Sequence, residues 1–268
     1  MPSDSSTSQP DPSAYPPRHQ RNVLFYGEEG YAKILVATVT IIGLGGVGAH
    51  AAVNLARTGI GGLHLIDFDT ISPSSLNRSP FAEPQDIGRQ KGEVLREFLI
   101  RSCPDTAVKA TEAFCGDDTL PTILPPSDPP DLAIDAIDSL NTKVGLLAWC
   151  HDNGIPVITS MGAAGKWDLG KLRTGDISES IICPLARKVR SRLKRRGITT
   201  GIPAIWSIEK AEAHRPDAPK EADEADPPEK RLGTRERNTL ASQMTLPGVF
   251  GYGLAAMALE IISGKARM

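Results

Sequence analysis

The chain has 268 residues, 40% of them hydrophobic, and a formal net charge of −2. This length can bury one large α/β core, with or without a small appendage, so we expect one main domain. The small net charge excludes a strong overall electrostatic field, so any contact with nucleic acid has to come from a local basic patch. The four cysteines form no CxxC pair, which argues against a structural zinc site or a disulfide-based fold and favours a reducing compartment.

The N-terminal residues 1–21 are rich in Ser, Pro, Asp and Gln and contain no apolar run. We therefore predict a disordered tail without a secretory signal, followed by a folded domain over residues 22–268. Residues 27–37 carry apolar side chains at helical spacing, which predicts a short helix before the first strand.

Residues 38–69 predict a nucleotide-binding βαβ opening. A β-branched strand over residues 39–42 leads into a glycine turn, a small-residue helix over residues 48–58, and a second strand over residues 63–66 that ends at Asp67. The turn glycines are Gly43, Gly45, Gly46 and Gly48. Such glycines let the backbone approach a phosphate, the helix N-terminus attracts it, and an acid about 20 residues later can bind ribose. The alternative is that the glycines only allow close packing of strand and helix.

Strand and helix patterns alternate through the following segments. The predicted elements are a polar loop over 69–79, a helix over 88–100, a strand over 106–111, a proline-rich connector over 121–130, a strand over 131–136, a helix over 141–153 and a strand over 156–160. This alternation predicts an α/β fold with a doubly wound, mostly parallel, Rossmann-like sheet. We expect its ligand crevice at the carboxyl ends of the strands, where Gly43, Asp67 and Asp138 fall.

The pattern changes after residue 160 and predicts a small C-terminal α+β elaboration. A glycine turn and an exposed strand precede a basic helix and a further strand. Residues 211–237 are acidic and contain proline, which predicts a flexible insert. The apolar segment 246–263 is nearly long enough to span a membrane, but it contains Glu260 and several glycines, which favours a buried or subunit-packing helix.

Four charged side chains are expected at the predicted crevice: Asp67, Arg78, Lys91 and Asp138. Two cations and a strand-end acid suit a triphosphate better than a nicotinamide dinucleotide, because Arg and Lys neutralise phosphate oxygens and a carboxylate holds Mg²⁺. The set therefore favours ATP chemistry over hydride transfer. Taken singly, Arg78 and Lys91 are also compatible with ordinary surface cations.

The motif order GLGGVG, LIDFDTISPSSLNR, GRQK and DAIDS resembles the adenylating enzymes related to ubiquitin-activating enzymes, including the activators of molybdopterin and thiamine sulfur carriers. The resemblance implies ATP and Mg²⁺ as cofactors, with Arg78, Lys91 and Asp138 as catalytic residues and Asp138 as the metal ligand. It implies a nucleotide site made of Gly43, Gly45, Gly46, Gly48, Asp67, Asp69, Asn77, Arg78, Lys91 and Asp138. Val23 stands where related enzymes carry an arginine that can reach the partner protomer's nucleotide, and Ser75 replaces a loop asparagine.

Within that superfamily, several segments are similar to the tRNA threonylcarbamoyladenosine dehydratases, among them YGEEGYAK, LARTGIGGLHLIDFDT, GAAGKWDLGKLRTGDISES and CPLARKVRSRLKRRGI. The similarity covers most of residues 27–210. It implies an enzyme that uses ATP to adenylate the carboxylate of threonylcarbamoyladenosine at position 37 of tRNA and promotes its cyclisation. It also implies tRNA as a partner, a homodimer, and a location in the cytoplasm or, as in fungal members, on the cytosolic face of the mitochondrial outer membrane.

Residues 187–196 contain seven basic residues in ten on a predicted helix. The seven are Arg187, Lys188, Arg190, Arg192, Lys194, Arg195 and Arg196. In a chain of net charge −2, this concentration of positive charge favours docking of a tRNA phosphate backbone. The alternative is a solvated helix face.

Three other functions remain open from the sequence: an activator of a carrier protein, an inactive scaffold and, ranked last, a nicotinamide-dependent dehydrogenase. An activator of a ubiquitin-like or sulfur-carrier protein would use the same adenylation chemistry and, in some relatives, a cysteine nucleophile. Cys150 lies in an apolar helix and is expected in the core, whereas Cys183 precedes Pro184 at a predicted helix start, where a thiolate is favoured. A nucleotide-binding but inactive scaffold on tRNA or a membrane partner is the second alternative. His64 lies within a strand and is expected to be packed or hydrogen-bonded.

Overall fold

The computed structural model describes residues 11–211 and 241–265. The strands in these residues are β1 (Thr38–Ile42), β2 (Gly62–Asp67), β3 (Ala107–Glu112), β4 (Leu132–Asp135), β5 (Val157–Ser160), β6 (Leu172–Asp176) and β7 (Pro203–Ser207). The helices are α1 (Pro17–Val36), α2 (Gly48–Thr58), α3 (Lys91–Ser102), α4 (Leu120–Ile123), α5 (Leu140–Asp152), α6 (Pro184–Lys194) and α7 (Thr245–Ser263).

The strands form one sheet in the order β3-β2-β1-β4-β5-β7-β6. All neighbours pair in parallel except the edge strand β6, which runs antiparallel to β7. The predicted doubly wound, mostly parallel α/β sheet is therefore confirmed, and the C-terminal strands extend the same sheet. The strand order reverses at β1, which lies between β2 and β4, so the ligand crevice is expected where β1 and β4 end.

Helices cover both faces of the sheet, as parallel strands require. Ile41 and Ile42 are consecutive residues of β1 with 0% and 2% exposure, and they belong to different hydrophobic clusters. The cluster around Ile41 includes residues of α1, α2, α3 and α7. The cluster around Ile42 includes residues of α4, α5 and α6. Alternate side chains of the central strands thus fill two separate layers of the core.

Helix α7 packs closely against α2 because glycines lie at their interface. A Cβ on Gly251 would overlap the backbone oxygen of Val47 and approach His50 Cβ to 2.7 Å. Among the described residues, α7 is the one helix long and apolar enough to cross a membrane, and many of its side chains are buried, including Phe250 and Leu254. This burial agrees with the prediction of a core helix.

Helix α1 begins earlier than its composition indicates. It starts at Pro17 and continues through a kink at Gly27, which has a φ of 73°. The predicted disordered tail ending at residue 21 is therefore wrong for the residues from Pro17 onward, while residues 1–10 lie outside the described part. The early start of α1 has a physical reason, because His19 in its first turn is 4% exposed and contacts Tyr31 and Asp105.

The two ends of the undescribed stretch 212–240 contact the same loop. The backbone N–H of Gly165 donates to the carbonyl of Ala241 at 2.8 Å, and the N–H of Trp167 donates to the carboxylate of Glu209 at 3.1 Å. The predicted flexible insert at residues 211–237 lies almost wholly outside the described residues. Glu209 and Ala241 therefore lie beside the same loop.

Candidate active site

The glycine turn between β1 and α2 lies against the end of β4. Gly43 has a φ of 91°, and a Cβ on it would approach the carbonyl carbon of Ala136 to 2.9 Å and the nitrogen of Ile137 to 3.1 Å. A Cβ on Gly48 would overlap the carbonyl oxygen of Gly43, whereas a Cβ on Gly45 would meet nothing within 4 Å. Gly43 and Gly48 therefore serve close packing, as the alternative interpretation held, but Gly45 faces open space.

Asp67, the last residue of β2, is 9% exposed and holds the glycine turn in place. Its carboxylate accepts the backbone N–H of Leu44 at 2.6 Å and that of Asp69 at 2.8 Å. Burial raises the pKa of Asp67, and the positive charge of Lys91 opposes this rise. The residue predicted to bind ribose thus also has a role in ordering the turn, which the sequence did not indicate.

Lys91 is the first residue of α3, and its Nζ donates to Asp69 Oδ2 at 2.7 Å. The Lys91 side chain is 13% exposed. The backbone joins the same two segments, since the N–H of Lys91 donates to the carbonyl of Asp69 and that of Ile71 donates to the carbonyl of Arg89. Asp69 therefore holds the Lys91 ammonium at the carboxyl end of β2.

Arg78 extends across the glycine turn. A Cβ on Gly46 would lie 3.2 Å from Arg78 Cγ and Cδ and from Pro247 Cβ, so the absent side chain of Gly46 makes room for the arginine stem. The exposed guanidinium donates to the Ser74 carbonyl at 2.8 Å and to Asn77 Oδ1 at 2.9 Å. The predicted residues Arg78 and Gly46 are therefore neighbours.

Asn77 connects this loop to the segment that precedes α7. Its Nδ2 donates to the carbonyl of Ser242 at 3.2 Å, and the preceding residue, Ala241, accepts the N–H of Gly165. The residues before α7 therefore reach both the loop that follows β2 and the loop that follows β5.

Asp138 is exposed and lies in the turn between β4 and α5. Among the described residues, no hydrogen bond or ion pair involves its carboxylate. No cluster of three potential metal ligands occurs in the described ranges either. This donor set fits Mg²⁺, which commonly takes one or two carboxylates and completes its shell with water and phosphate oxygens.

A buried ion pair that the sequence analysis missed supports the Asp138 turn. Lys143 Nζ donates to Asp135 Oδ2 at 2.6 Å, and both side chains are 0% exposed. Thr159 Oγ1 donates to the same carboxylate at 2.7 Å, and the N–H of Ile137 donates to its other oxygen at 3.0 Å. The sequence did contain a signal for this pair: a lysine occurs in an otherwise apolar helix, shortly after an acid that ends a strand.

Comparison with known proteins identifies the family of this chain. The ThiF family model matches residues 19–268. The chain belongs to the ThiF family.

Within the ThiF family, the chain is similar to tRNA threonylcarbamoyladenosine dehydratases. It is 35% identical over 252 residues to dehydratase 2 of Saccharomyces cerevisiae, covering 92% of this chain and 56% of the yeast protein. It is 35% identical over 201 residues to the Bacillus subtilis dehydratase, covering 75% and 78% of the two chains. The chain thus spans little more than half the length of the yeast relatives it matches.

A solved structure of the E. coli tRNA N6-threonylcarbamoyladenosine dehydratase in complex with ATP has the same fold. The TM-score is 0.77 at 29% sequence identity, and the alignment covers 92% of this chain and 94% of that one. The same E. coli enzyme is also known in complex with AMP, with a TM-score of 0.79 at 28% identity and coverage of 97% and 98%.

The basic helix of this ThiF-family chain is amphipathic. Helix α6 buries Ala186, Val189 and Leu193 and exposes most of its cations. The exposed members of the predicted set are Arg187, Lys188, Arg192, Lys194, Arg195 and Arg196. Arg190 differs, because it is half-buried and donates to Ser180.

Helix α6 adjoins the first turn of α5, which follows Asp138. Arg192 donates to Asn141 Oδ1. One shallow cavity of about 420 Å³ is lined by both residues, with Arg195, Arg196 and others. A second, of about 560 Å³, is lined by Leu140, Arg187, Lys188, Ser191, Arg192 and Arg195. The basic surface and the Asp138 turn are therefore connected through α5.

The four cysteines are all free and buried. Cys183 caps α6 as predicted, but it is 2% exposed and lies near Gly162, whose Cβ would be 3.8 Å from the thiol. Burial raises the pKa of Cys150 to about 12, and the pKa of Cys115 rises to the same value mainly for the same reason. None of these thiols is placed as an accessible nucleophile.

Packing accounts for two residues that the sequence analysis discussed, His64 and Val23, and for one that it did not, His50. His64 hydrogen-bonds with Thr111 Oγ1 at 2.8 Å, and burial lowers its pKa to about 4, so it is a packed neutral histidine. Val23, which stands where related enzymes carry an arginine, is fully buried, whereas Arg21, two residues earlier, is exposed. His50, which sequence reasoning did not select, donates from Nδ1 to the Gly46 carbonyl at 2.7 Å and stabilises the glycine turn.

Proposed function

We propose that this protein is an ATP-dependent dehydratase that adenylates the carboxylate of threonylcarbamoyladenosine at position 37 of tRNA and promotes its cyclisation. The observation that carries the proposal is the contact of Arg78 with Gly46 in the glycine turn of a ThiF-family fold. Lys91, held by Asp69 at the end of β2, and the exposed Asp138, in the turn after β4, support it. The similarity to dehydratases from yeast and bacteria supports the choice of substrate.

The proposed nucleotide site uses the residues that surround the crevice. The turn of Gly43, Gly45, Gly46 and Gly48 accommodates the phosphates, with Gly45 facing open space. Asp67 retains carboxylate lone pairs for the ribose hydroxyls, and Asn77 lies in the loop that covers the nucleotide. Arg78 and Lys91 bind phosphate oxygens, and Asp69 positions Lys91 for this role.

Asp138 is the proposed Mg²⁺ ligand. If Mg²⁺ binds here, Asp138 would hold it, and the ion would supply positive charge that neutralises the triphosphate. Asp138 has no competing protein partner among the described residues, and the Asp135–Lys143 pair restricts its turn.

The reaction depends on the orientation of the substrate groups and ATP, and it does not require a nucleophile from the protein. The substrate carboxylate attacks the α-phosphorus of ATP and pyrophosphate leaves, which gives an acyl adenylate. An atom of the substrate's own carbamoyl group then attacks the activated carbonyl carbon, and AMP leaves with formation of the ring. Because this nucleophile is already tethered nearby, alignment of the two groups supplies much of the rate, and buried cysteines are compatible with the chemistry.

The basic helix is the proposed tRNA contact. Six exposed cations of α6 are available to phosphate oxygens, and we expect the half-buried Arg190 mainly to hold α6 to Ser180. The contact of Arg192 with Asn141 brings this surface to the helix that follows Asp138.

Assembly and location are further parts of the proposal. We expect a homodimer, as the resemblance to adenylating enzymes implies. We expect the enzyme to act in the cytoplasm, or on the cytosolic face of the mitochondrial outer membrane as the resemblance to fungal members implies.

A product assay tests the function. Purified protein is incubated with ATP, Mg²⁺ and tRNA that carries threonylcarbamoyladenosine, and nucleosides are analysed by mass spectrometry. We expect loss of one water from the modified nucleoside and one AMP per product. Asp138→Asn should abolish both, whereas Asp128→Asn, a change at a distant exposed acid, should not. Absence of product with folded wild-type protein, while the E. coli enzyme works in parallel, would refute the proposal.

One comparison favours a second candidate. The chain is 32% identical over 149 residues to the molybdopterin-synthase adenylyltransferase of Salmonella typhimurium, covering 55% of this chain and 58% of that protein. An activator of a sulfur-carrier or ubiquitin-like protein would show ATP–pyrophosphate exchange stimulated by a protein with a Gly-Gly C-terminus. The buried cysteines argue against a version that passes through an enzyme thioester.

A further inference from the structure

Trp167 is an exposed aromatic side chain on the surface of the fold. The chain has three tryptophans. Trp206 is 4% exposed within β7, and Trp149 is half-buried and donates to the Leu124 carbonyl at 3.0 Å. Trp167, in contrast, is 69% exposed. Its indole therefore offers an accessible aromatic face to a ligand.

The backbone that carries Trp167 is held on both sides. The N–H groups of Trp167 and Asp168 donate to the Glu209 carboxylate at 3.1 and 2.9 Å, and Glu209 is 6% exposed. On the other side, Lys166 is 5% exposed, and its Nζ donates to the Gly162 carbonyl at 2.8 Å. The exposed ring therefore stands on a fixed base, and a ligand that stacks on it does not have to order the loop.

The Trp167 loop lies at the same edge of the sheet as the candidate active site. It follows the carboxyl end of β5 and precedes β6, whose first residue, Leu172, pairs with Ser207 at the carboxyl end of β7. Only β5 separates β7 from β4, so β7 is about 10 Å from the strand that leads to Asp138.

Two elements next to this loop carry exposed cations. A Cβ on Gly162 would lie 3.9 Å from Leu185 Cβ, which places the loop against the start of the basic helix α6. Arg173, the second residue of β6, is exposed, and among the described residues its guanidinium donates to the backbone carbonyls of Gly170 and Leu172. Exposed aromatic rings together with basic surfaces on adjoining elements are typical of proteins that bind single-stranded nucleic acid.

We propose that Trp167 is a stacking platform for an unpaired base of the tRNA anticodon loop, close to the modified nucleotide at position 37. The proposal rests on the proposed function and deepens it by naming a residue that positions the substrate. Unpaired bases in RNA loops are commonly bound by stacking on aromatic side chains, and a fixed indole at the crevice edge provides such a surface. The competing occupant is a second copy of this chain, since Leu169, Ile181 and Ile182 are also exposed.

Intrinsic fluorescence tests the contact directly. The RNA is a stem-loop that carries threonylcarbamoyladenosine in the loop, and binding is followed independently by the anisotropy of a label on the stem. In wild-type protein, bound RNA should quench Trp167 emission and protect it from acrylamide. In Trp167→Phe, the remaining emission from Trp149 and Trp206 should not respond. Full binding with unchanged acrylamide access to Trp167 would overturn the proposal, as would protection that grows with protein concentration in the absence of RNA.

Steady-state kinetics test the positioning role. Trp167→Ala should raise KM for the modified tRNA about tenfold, with kcat within about twofold and KM for ATP unchanged. Trp167→Phe should recover most of the loss because it restores an aromatic face, whereas Leu169→Ala is the matched control and should behave as wild type. If wild-type protein makes no cyclic product, the proposed function fails; if it does and Trp167→Ala has normal KM, only the stacking proposal fails.

Discussion

Lys143 and Asp135 form a fully buried ion pair, with 2.6 Å between Nζ and Oδ2, beside the turn that carries Asp138. Thr159 also bonds the carboxylate, so the charges are compensated by hydrogen bonds as well as by each other. Breaking such a pair leaves one charge buried without a partner, which is more costly than the net stabilisation that the pair provides.

We expect Lys143→Met to lower the free energy of unfolding by about 3–5 kcal/mol, measured by urea denaturation. The matched control is Lys33→Met, because Lys33 pairs with Glu29 at 2.8 Å on the surface of α1. That exposed pair should contribute about 0–1 kcal/mol. Equal effects of the two substitutions would contradict the role assigned to Lys143.

Two glycines of the turn should respond differently to alanine. Gly48→Ala introduces a Cβ that overlaps the Gly43 carbonyl, so the fold should lose about 1–3 kcal/mol. Gly45→Ala meets nothing within 4 Å, so the melting temperature should stay near that of wild type. Its methyl group would occupy space next to the expected phosphate position, and ATP affinity should fall about tenfold by calorimetry. Normal ATP affinity in Gly45→Ala would place the phosphates elsewhere.

Stability should depend on pH through His64. Burial lowers its pKa to about 4 from an ordinary value of 6.5, so between these values the unfolded chain binds more protons than the folded one. The stability that the neutral His64 contributes to the folded protein is therefore fully present above pH 6.5 and is lost as pH falls toward 4.

Substitution isolates this contribution. Between pH 6.5 and 4, the free energy of unfolding should fall by about 1–2 kcal/mol less in His64→Gln than in wild type. This value is smaller than the full pKa shift implies because the imidazole is partly exposed and solvent screens its charge. His151→Gln, at an exposed position of α5, should leave the pH profile unchanged. Parallel profiles for wild type and His64→Gln would refute the assignment.

The cysteines should be chemically silent in the folded protein. With burial raising the pKa of Cys150 to about 12 and Cys183 only 2% exposed, a thiol reagent should react slowly until the protein is denatured. Cys183→Ala should keep kcat for AMP formation within about threefold. Rapid labelling of one thiol together with loss of activity would instead indicate a thioester mechanism.

The basic helix should bind tRNA through exposed cations. Arg187→Gln and Arg195→Gln should weaken binding and reduce the slope of log K against log salt by about 1 each. Arg190 is half-buried and bonded to Ser180, so Arg190→Gln should lower stability while leaving the salt slope unchanged. An identical reduction of the slope for all three would show that the helix binds in another orientation.

The sequence indicated the β1–turn–α2–β2 unit and the parallel sheet because these depend on local patterns of glycine and apolar residues. Contacts between distant segments were not visible. The start of α1 depends on His19 meeting Asp105, and the position of Asn77 depends on Ser242. The Lys143–Asp135 pair could not be predicted from hydrophobic periodicity, because that pattern does not show which lysine of a helix is buried.

The residues on either side of 212–240 both bond to the loop that contains Gly165 and Trp167. The ends of that stretch are therefore fixed near each other by the fold itself, and lengthening it would add only a small closure entropy, about 0.6 kcal/mol for each doubling of length. We therefore expect a reporter peptide inserted between residues 212 and 240 to leave the melting temperature of the protein near that of wild type.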